Sequence, residues 1–172
     1  MDYSKIFKYK NLIGKGAFTQ AYKYKGRVYI KSVDNAKECL ALFCRGHRYL
    51  PAITRLDYLD DGSAIYSMPF YNKLTKQHLG AWKQYKILQH FFNHYNYDTE
   101  QILLNVDKLK VSAGLKNSLI RLIEMMANYN HYENLRLELP KHNLAVTRSG
   151  RLILLDIIFD AELFNKTRRG RA

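Results

Sequence analysis

Three polar side chains near the end of the sequence have the types and spacing that phosphoryl transfer needs. Glu138 stands five positions before Asn143, and Asp156 follows an apolar run, Ile153 to Leu155. Phosphoryl transfer uses one carboxylate to accept or orient the proton of a hydroxyl, an amide to hold a metal ion and a second carboxylate on that metal. A carboxylate on an apolar strand is costly to bury without a partner, and a metal ion would supply one. Capping of the next turn is the alternative role for Asp156.

A glycine-rich loop near the start of the sequence complements these residues. Gly14 and Gly16 flank a predicted strand-to-strand turn, where missing Cβ atoms let backbone N–H groups approach phosphates. Phe18 at the tip is expected to cover the phosphates and exclude water, and Thr19 stands where a third glycine is expected. A lone Gly-x-Gly also occurs in ordinary turns. The loop does not fit the dinucleotide-binding fingerprint, because no helix pattern follows it.

A lysine and a glutamate follow the glycine loop at informative positions. Lys31 comes after the apolar strand Val28 to Ile30, fifteen residues beyond Gly16. A lysine there is predicted to project into the cleft and bind nucleotide phosphates. Glu38, on the next predicted helix, is the candidate ion-pair partner that orients Lys31. The alternatives are a lysine on the strand surface and a solvated glutamate on the helix.

Composition and charge restrict the class of protein. The 172 residues carry 28 Lys and Arg against 15 Asp and Glu, a formal net charge of +13. Such a charge attracts nucleotide phosphates, acidic proteins or nucleic acid, and it also solvates a surface. Cys39 and Cys44 have neither disulfide nor metal-site spacing. With no signal-peptide pattern and no apolar stretch of about 18 residues, we expect a soluble cytoplasmic protein that is not associated with a membrane.

The pattern of apolar residues and turn signals predicts two lobes. The first lobe, residues 1–70, is predicted to contain one helix, Asn35 to Tyr49, and five strands: Phe7 to Leu12, Gln20 to Tyr24, Arg27 to Val33, Ile53 to Leu59 and Ser63 to Met68. The second lobe, residues 71–164, is predicted to contain helices Leu79 to Phe92, Thr99 to Leu109 and Leu115 to Tyr129, then strands Leu144 to Val146 and Leu152 to Ile158. A hinge is expected between Met68 and Asn72, and a basic tail over residues 165–172.

At these residues the chain resembles the eukaryotic-like protein kinase fold, and it is most similar to the early serine/threonine kinases of T-seven-type short-tailed bacteriophages. The resemblance covers roughly residues 8 to 160, although the middle helices match only in type. The segments that carry it are Gly14 to Tyr22, Tyr29 to Lys31, Phe43 to Arg45, His142 to Leu144 and Asp156 to Ile157.

This resemblance implies a fold class, a reaction and partners. The fold would be α+β, with an antiparallel β-sheet N-lobe and a small, mainly helical C-lobe. The cofactors would be ATP and Mg²⁺, and the acceptors would be Ser or Thr of host proteins, with transcription or translation machinery among them, in the cytoplasm of the host cell. The oligomeric state is left open.

The resemblance also assigns roles to individual residues. Gly14, Gly16 and Lys31 would hold the phosphates, and the adenine would lie at the hinge near Met68. Asn143 and Asp156 would hold the metal. Glu138 would meet the acceptor hydroxyl in place of the aspartate of the family.

Two other classes of function stay open at this level. A pseudokinase would bind and inhibit or retarget a host protein or nucleic-acid machine without phosphoryl transfer; Glu138, Thr19 and the short C-lobe favour this alternative, whereas Lys31, Asn143 and Asp156 oppose it. A basic nucleic-acid-binding protein is the third candidate. Its binding should weaken steeply with salt and should be insensitive to Asp156→Asn.

Overall fold

The computed structural model describes residues 3–128 and 134–169 of the chain. The fold is α+β, with an antiparallel sheet in the first part of the chain and several helices in the second. This architecture is compatible with a small two-lobed fold.

The N-terminal sheet has five antiparallel strands in the order β1-β2-β3-β5-β4. Their bounds are β1 Leu12–Lys15, β2 Thr19–Tyr24, β3 Arg27–Ser32, β4 Thr54–Tyr58 and β5 Ala64–Pro69. Lys25 and Gly26, with φ of 47° and 76°, form a tight turn between β2 and β3, since two positive φ values match the twist of a two-residue hairpin. β1 begins later than predicted, because Tyr9–Asn11 form a 3₁₀ turn.

Helix α1, Asn35–Phe43, packs beside this sheet. The carboxylate of Asp34 caps it by accepting a hydrogen bond from the Ala36 N–H at 2.9 Å. The helix is six residues shorter than predicted from the apolar pattern. The chain leaves the helix at Cys44, and the carbonyl of Tyr49 instead accepts a hydrogen bond from the Leu154 N–H at 2.8 Å. A tertiary contact therefore overrides helix propensity in this segment.

The second part of the chain contains four helices within the described residues. They are α2 Leu79–His94, α3 Thr99–Asn105, α4 Ala113–Asn128 and α5 Ala161–Arg169. α3 is shorter than predicted because its last turn tightens into a 3₁₀ turn, Val106–Lys108. The predicted end of α4 at Tyr129 lies outside the described residues. The predicted basic tail, residues 165–172, is helical as far as Arg169, and its last three residues also lie outside the described part.

Short strands form two small antiparallel sheets between these helices. β6 Asn72–Lys73, β8 Leu144–Val146 and β9 Leu152–Leu154 form one sheet, and β7 Leu135–Leu137 pairs with β10 Ile158–Asp160 in the other. The strand predicted over Leu152 to Ile158 is therefore two strands. It divides because the N–H groups of Leu155 and Asp156 both donate to the carbonyl of Asn143, at 3.0 and 3.1 Å.

One apolar core runs from the N-terminal sheet into the helices. It includes Leu40 of α1, Leu88 of α2, Leu119 of α4 and Leu154 of β9, each no more than 1% exposed. Within the described part of the chain, no helix combines the length and apolar character that crossing a bilayer requires.

The packing of α2 gives a test of the fold. Leu88→Ala should lower the free energy of unfolding by about 2–5 kcal/mol, because it leaves a cavity in the core. Leu79→Ala is the matched control on the same helix: Leu79 is 78% exposed, so its loss should change stability by no more than about 0.5 kcal/mol. Urea unfolding followed by circular dichroism measures both values. Equal losses in the free energy of unfolding of Leu88→Ala and Leu79→Ala would contradict the placement of α2.

Candidate functional site

A cleft of about 520 Å³ lies between the glycine loop and the segment that carries Asn143 and Asp156. Gly14 and Gly16 lie on its N-terminal side, together with Lys15. Apolar side chains from the sheet and from the connection to the second half of the chain form a wall: Ala21, Val28, Ile30, Ile53 and Met68. The structure therefore brings Gly14, Gly16, Met68, Asn143 and Asp156 to one cleft.

Asn143 organises the polar side of the cleft. It ends a 3₁₀ turn that follows Pro140, and its N–H donates to the Pro140 carbonyl at 2.9 Å. Its own carbonyl accepts the N–H of Asp156, so the backbone of Asp156 is fixed beside it. Its side-chain amide donates to Oε1 of Glu138 at 2.6 Å. The three residues that sequence spacing singled out are thus linked through Asn143.

Glu138 is half-buried and does not line the cleft itself. It follows β7, and its N–H donates to the carbonyl of Ile157 at 2.8 Å. Burial raises the pKa of its carboxyl group, and the charge of Asp156 raises it further, whereas the hydrogen bond from Asn143 opposes the shift. Glu138 also lines a neighbouring recess of about 380 Å³ with Gln89, Tyr97, Leu137, Leu139 and Pro140. It therefore lies between this recess and Asn143 of the cleft.

Lys37 is a member of the site that the sequence prediction missed. It lies in the first turn of α1, is 4% exposed and lines the cleft. Its ammonium group forms an ion pair with Oδ1 of Asp156, and its distance to Oδ2 of Asp34 is 3.8 Å. Burial raises the pKa of the Asp34 carboxyl, and the positive charge of Lys37 opposes that shift. The signal in the sequence was the pair Asp34 and Lys37, three residues apart at a helix start.

Lys31 does not lie in the cleft, contrary to prediction. Side chains alternate along β3, so Val28 and Ile30 face the cleft and Lys31 faces the other side of the sheet. Its Nζ is 2.6 Å from Oδ2 of Asp61 in a partly exposed ion pair. Hydrogen bonds from Lys31 and Ser63 lower the pKa of the Asp61 carboxyl.

The predicted ion pair between Lys31 and Glu38 does not form either. Glu38 is buried and pairs with Arg55, and it accepts a hydrogen bond from the Tyr66 hydroxyl at 3.1 Å. Glu38 therefore holds α1 against β4 and β5 instead of orienting a lysine in the cleft.

Phe18 likewise lies outside the cleft. It contributes to a shallow pocket of about 290 Å³ on the other side of the glycine loop, which Lys31 and Asp61 also line. The Phe18 carbonyl accepts hydrogen bonds from the Ser32 hydroxyl and the Val33 N–H, at 3.1 and 3.3 Å. These bonds fix the tip of the loop to the end of β3, which is why the ring does not cover the cleft.

The glycines of the loop are not required by crowding within the protein. A Cβ atom on Gly14 would lie 3.9 Å from the Cβ of Ala21, and one on Gly16 would lie 3.8 Å from the carbonyl oxygen of Thr19. These are ordinary van der Waals distances, and neither glycine has a positive φ. Because Gly14 and Gly16 have no side chains, room remains beside the loop backbone where it lines the cleft.

The side-chain oxygen atoms of Asn143 and Asp156 suit a hard divalent cation that also binds the phosphates of a ligand. Mg²⁺ binds oxygen, and proteins commonly hold it through one or two carboxylates together with substrate phosphates. No group of three or more His, Cys, Asp or Glu among residues 3–128 and 134–169 is arranged to hold a metal. A pair of protein ligands therefore fits a metal that arrives with a phosphate.

Comparisons of the chain with protein-family models, with curated proteins and with solved structures found no match.

The environment of Glu138 predicts how stability depends on pH. Because its pKa is raised in the folded state, the protonated form is favoured there, and the stabilisation that protonation gives is lost as pH rises through the folded pKa. Glu138→Gln keeps an acceptor for Asn143 but removes the charge. We expect it to be more stable than the wild type at about pH 7.5, with the difference disappearing below the ordinary pKa of 4.5.

Urea unfolding at several pH values measures this difference. Glu100→Gln, at an exposed position of α3, removes the same charge away from the site and is the control. A wild type that gains stability relative to Glu138→Gln as pH rises would contradict the assigned environment.

Proposed function

We propose that this chain binds ATP with Mg²⁺ and transfers the terminal phosphoryl group to a protein hydroxyl, as a small kinase-like phosphotransferase. The observation that carries the proposal is the convergence of a glycine loop, a buried lysine and the Asn143–Asp156 pair on one cleft. The class of acceptor, Ser or Thr of host proteins, is supported by the sequence resemblance to phage kinases.

The apolar wall is suited to the base of a nucleotide. Val28, Ile30 and Met68 offer a surface against which a flat aromatic ring can pack, and the cleft volume lies in the range of small-molecule sites. Met68 is the last cleft residue of β5 before the chain crosses to β6, so its placement agrees with the hinge position predicted for adenine.

The polar end of the cleft is suited to phosphates. The loop around Gly14 and Gly16 leaves room for phosphates beside its backbone, while the Gly16 N–H itself donates to the Thr19 carbonyl at 2.8 Å. The ammonium of Lys37 supplies a positive charge in a site of low solvent access. Lys37 thus takes the phosphate-binding role that the sequence had assigned to Lys31. Asn143 and Asp156 would hold the Mg²⁺, which neutralises phosphate charge when it is bound.

Glu138 is the group that would receive the acceptor proton. Its carboxylate accepts the hydroxyl proton as the hydroxyl oxygen bonds to the terminal phosphorus, and the bond between that phosphorus and the bridging oxygen breaks to release ADP. A raised pKa favours this role, because a general base works best when its pKa approaches the working pH. The recess beside Glu138 offers space for an acceptor to approach.

A second candidate function is supported by the partners of the acidic side chains. Asp156 is ion-paired with Lys37, and Glu138 is hydrogen-bonded to Asn143, so the polar groups of the site satisfy one another. A pseudokinase that binds a host partner without phosphoryl transfer would retain a site whose polar groups are already paired with one another. Phosphoryl transfer requires that nucleotide and metal compete successfully with these contacts.

A kinase assay distinguishes these two functions and tests whether Lys37, instead of Lys31, binds the phosphates. The protein is incubated with ATP labelled on the terminal phosphate, Mg²⁺ and a bacterial lysate. Lys37→Met and Asp156→Asn should each reduce transfer by roughly 100-fold or more, because each removes a group that stabilises the reacting phosphoryl.

Lys31→Met is the matched control, since it removes a lysine of the same type whose ion pair is partly exposed. It should retain activity within about threefold of the wild type. Thermal unfolding of each variant separates loss of a functional group from loss of the fold. Loss of activity in Lys31→Met with activity kept in Lys37→Met would reverse the assignment. Absence of label with the wild type would favour the pseudokinase.

A further inference from the structure

Acidic residues are absent from five long stretches of the sequence. No Asp or Glu occurs in residues 3–33, 39–56, 62–97, 108–123 or 139–155, whereas each stretch contains Lys, Arg or both. The net charge of +13 is therefore distributed unevenly along the chain.

The fold brings the last four of these acid-free stretches together. The carbonyl of Tyr49 accepts the N–H of Leu154, and the Tyr49 hydroxyl is 2.8 Å from that of Ser112 at the start of α4. β6 pairs with β8, which joins residues 72–73 to residues 144–146. Positive charge that is dispersed in the sequence consequently meets on one part of the surface.

Four arginines define the centre of this region, which we call the arginine patch: Arg45, Arg48, Arg148 and Arg151. Arg45 and Arg48 are exposed in the turns that follow α1, and Arg148 is exposed in the turn between β8 and β9. The Nε of Arg151 donates to the carbonyl of Arg48 at 3.0 Å, which joins the two segments. Among the described residues, none of the four arginines forms an ion pair with an acidic side chain.

We propose that the arginine patch binds the phosphate backbone of a nucleic acid. Guanidinium groups match phosphate oxygens in geometry, and binding to a polyanion releases counterions without requiring an apolar surface. The buried core of a protein interface is more apolar than the rest of the protein surface. None of the large exposed apolar side chains lies in the segments 44–49 or 147–151, so a nucleic acid suits the patch better than an acidic protein.

The patch is distinct from the nucleotide cleft. None of its four arginines lines the cleft, and the side chains that do are supplied mainly by the N-terminal sheet and by residues 142–143 and 155–156. Nucleic-acid binding is therefore expected to survive Asp156→Asn, whatever the outcome of the kinase assay.

Fluorescence anisotropy tests the proposal with a labelled single-stranded RNA of about 20 nucleotides and a DNA duplex of similar length. The variant is the triple substitution R45Q/R48Q/R148Q, which leaves the structural contact of Arg151 intact. We expect it to weaken RNA binding by roughly 10- to 100-fold at about 0.1 M salt, and to reduce the slope of log K against log salt by about 2.

The control is K5Q/K8Q/K10Q, which removes the same charge from three exposed lysines in the 3₁₀ segments at the start of the described chain. It should change binding by no more than about threefold, because its charges act only at a distance. Equal losses of RNA affinity in both triple variants would show that net charge alone attracts the RNA. That result would overturn the assignment of binding to the arginine patch. Binding of poly-glutamate as tight as binding of RNA would overturn the choice of nucleic acid. Absence of RNA and DNA binding by the wild type would overturn the proposal outright.

Discussion

The ammonium group of Lys37 is the charge on which the arrangement of the cleft depends. Burying an ammonium group costs free energy, and pairing with carboxylates offsets that cost. Asp34 comes from the start of α1, and Asp156 comes from the segment after β9, so one cation connects the N-terminal half of the chain to the C-terminal half. Asp34 also caps α1, which fixes the helix end that carries Lys37. The helix start and the position of Asp156 are thus specified together, by one set of charges.

The site around this lysine has an excess of carboxylates. Asp34 and Glu138 each interact with Asp156 and with Lys37, and burial raises the pKa values of Asp34 and Glu138 despite the positive charge of the lysine. In a chain with a net charge of +13, this local excess is unusual. In the proposed function, a divalent cation would stabilise these carboxylates, and its contact with Asp156 would replace the ion pair that Lys37 gives up to an arriving phosphate. The proposed function therefore implies that metal and phosphate bind together better than either binds alone.

The parts of the structure that follow local periodicity were predictable, and the parts set by non-local contacts were not. The spacing of apolar residues predicted α2 and α4 closely, and turn residues predicted the β2–β3 hairpin. Spacing also brought Glu138 and Asn143 together correctly, since both belong to one short segment. The face on which Lys31 lies could not be predicted, because Val28, Tyr29 and Ile30 are all buried and β3 has no polar alternation. Tyr29 packs in a second apolar cluster with Ile6 and Tyr22, which sequence alone does not reveal.

Strand β9 connects the cleft to the arginine patch over a very short length of chain. Its last residue, Leu154, is hydrogen-bonded to Tyr49, which directly follows Arg48. Two residues later, Asp156 is held by the carbonyl of Asn143 and by Lys37. Because Leu152, Ile153 and Leu154 are fully buried, β9 cannot shift without disturbing the core. The cleft and the arginine patch therefore share one rigid support.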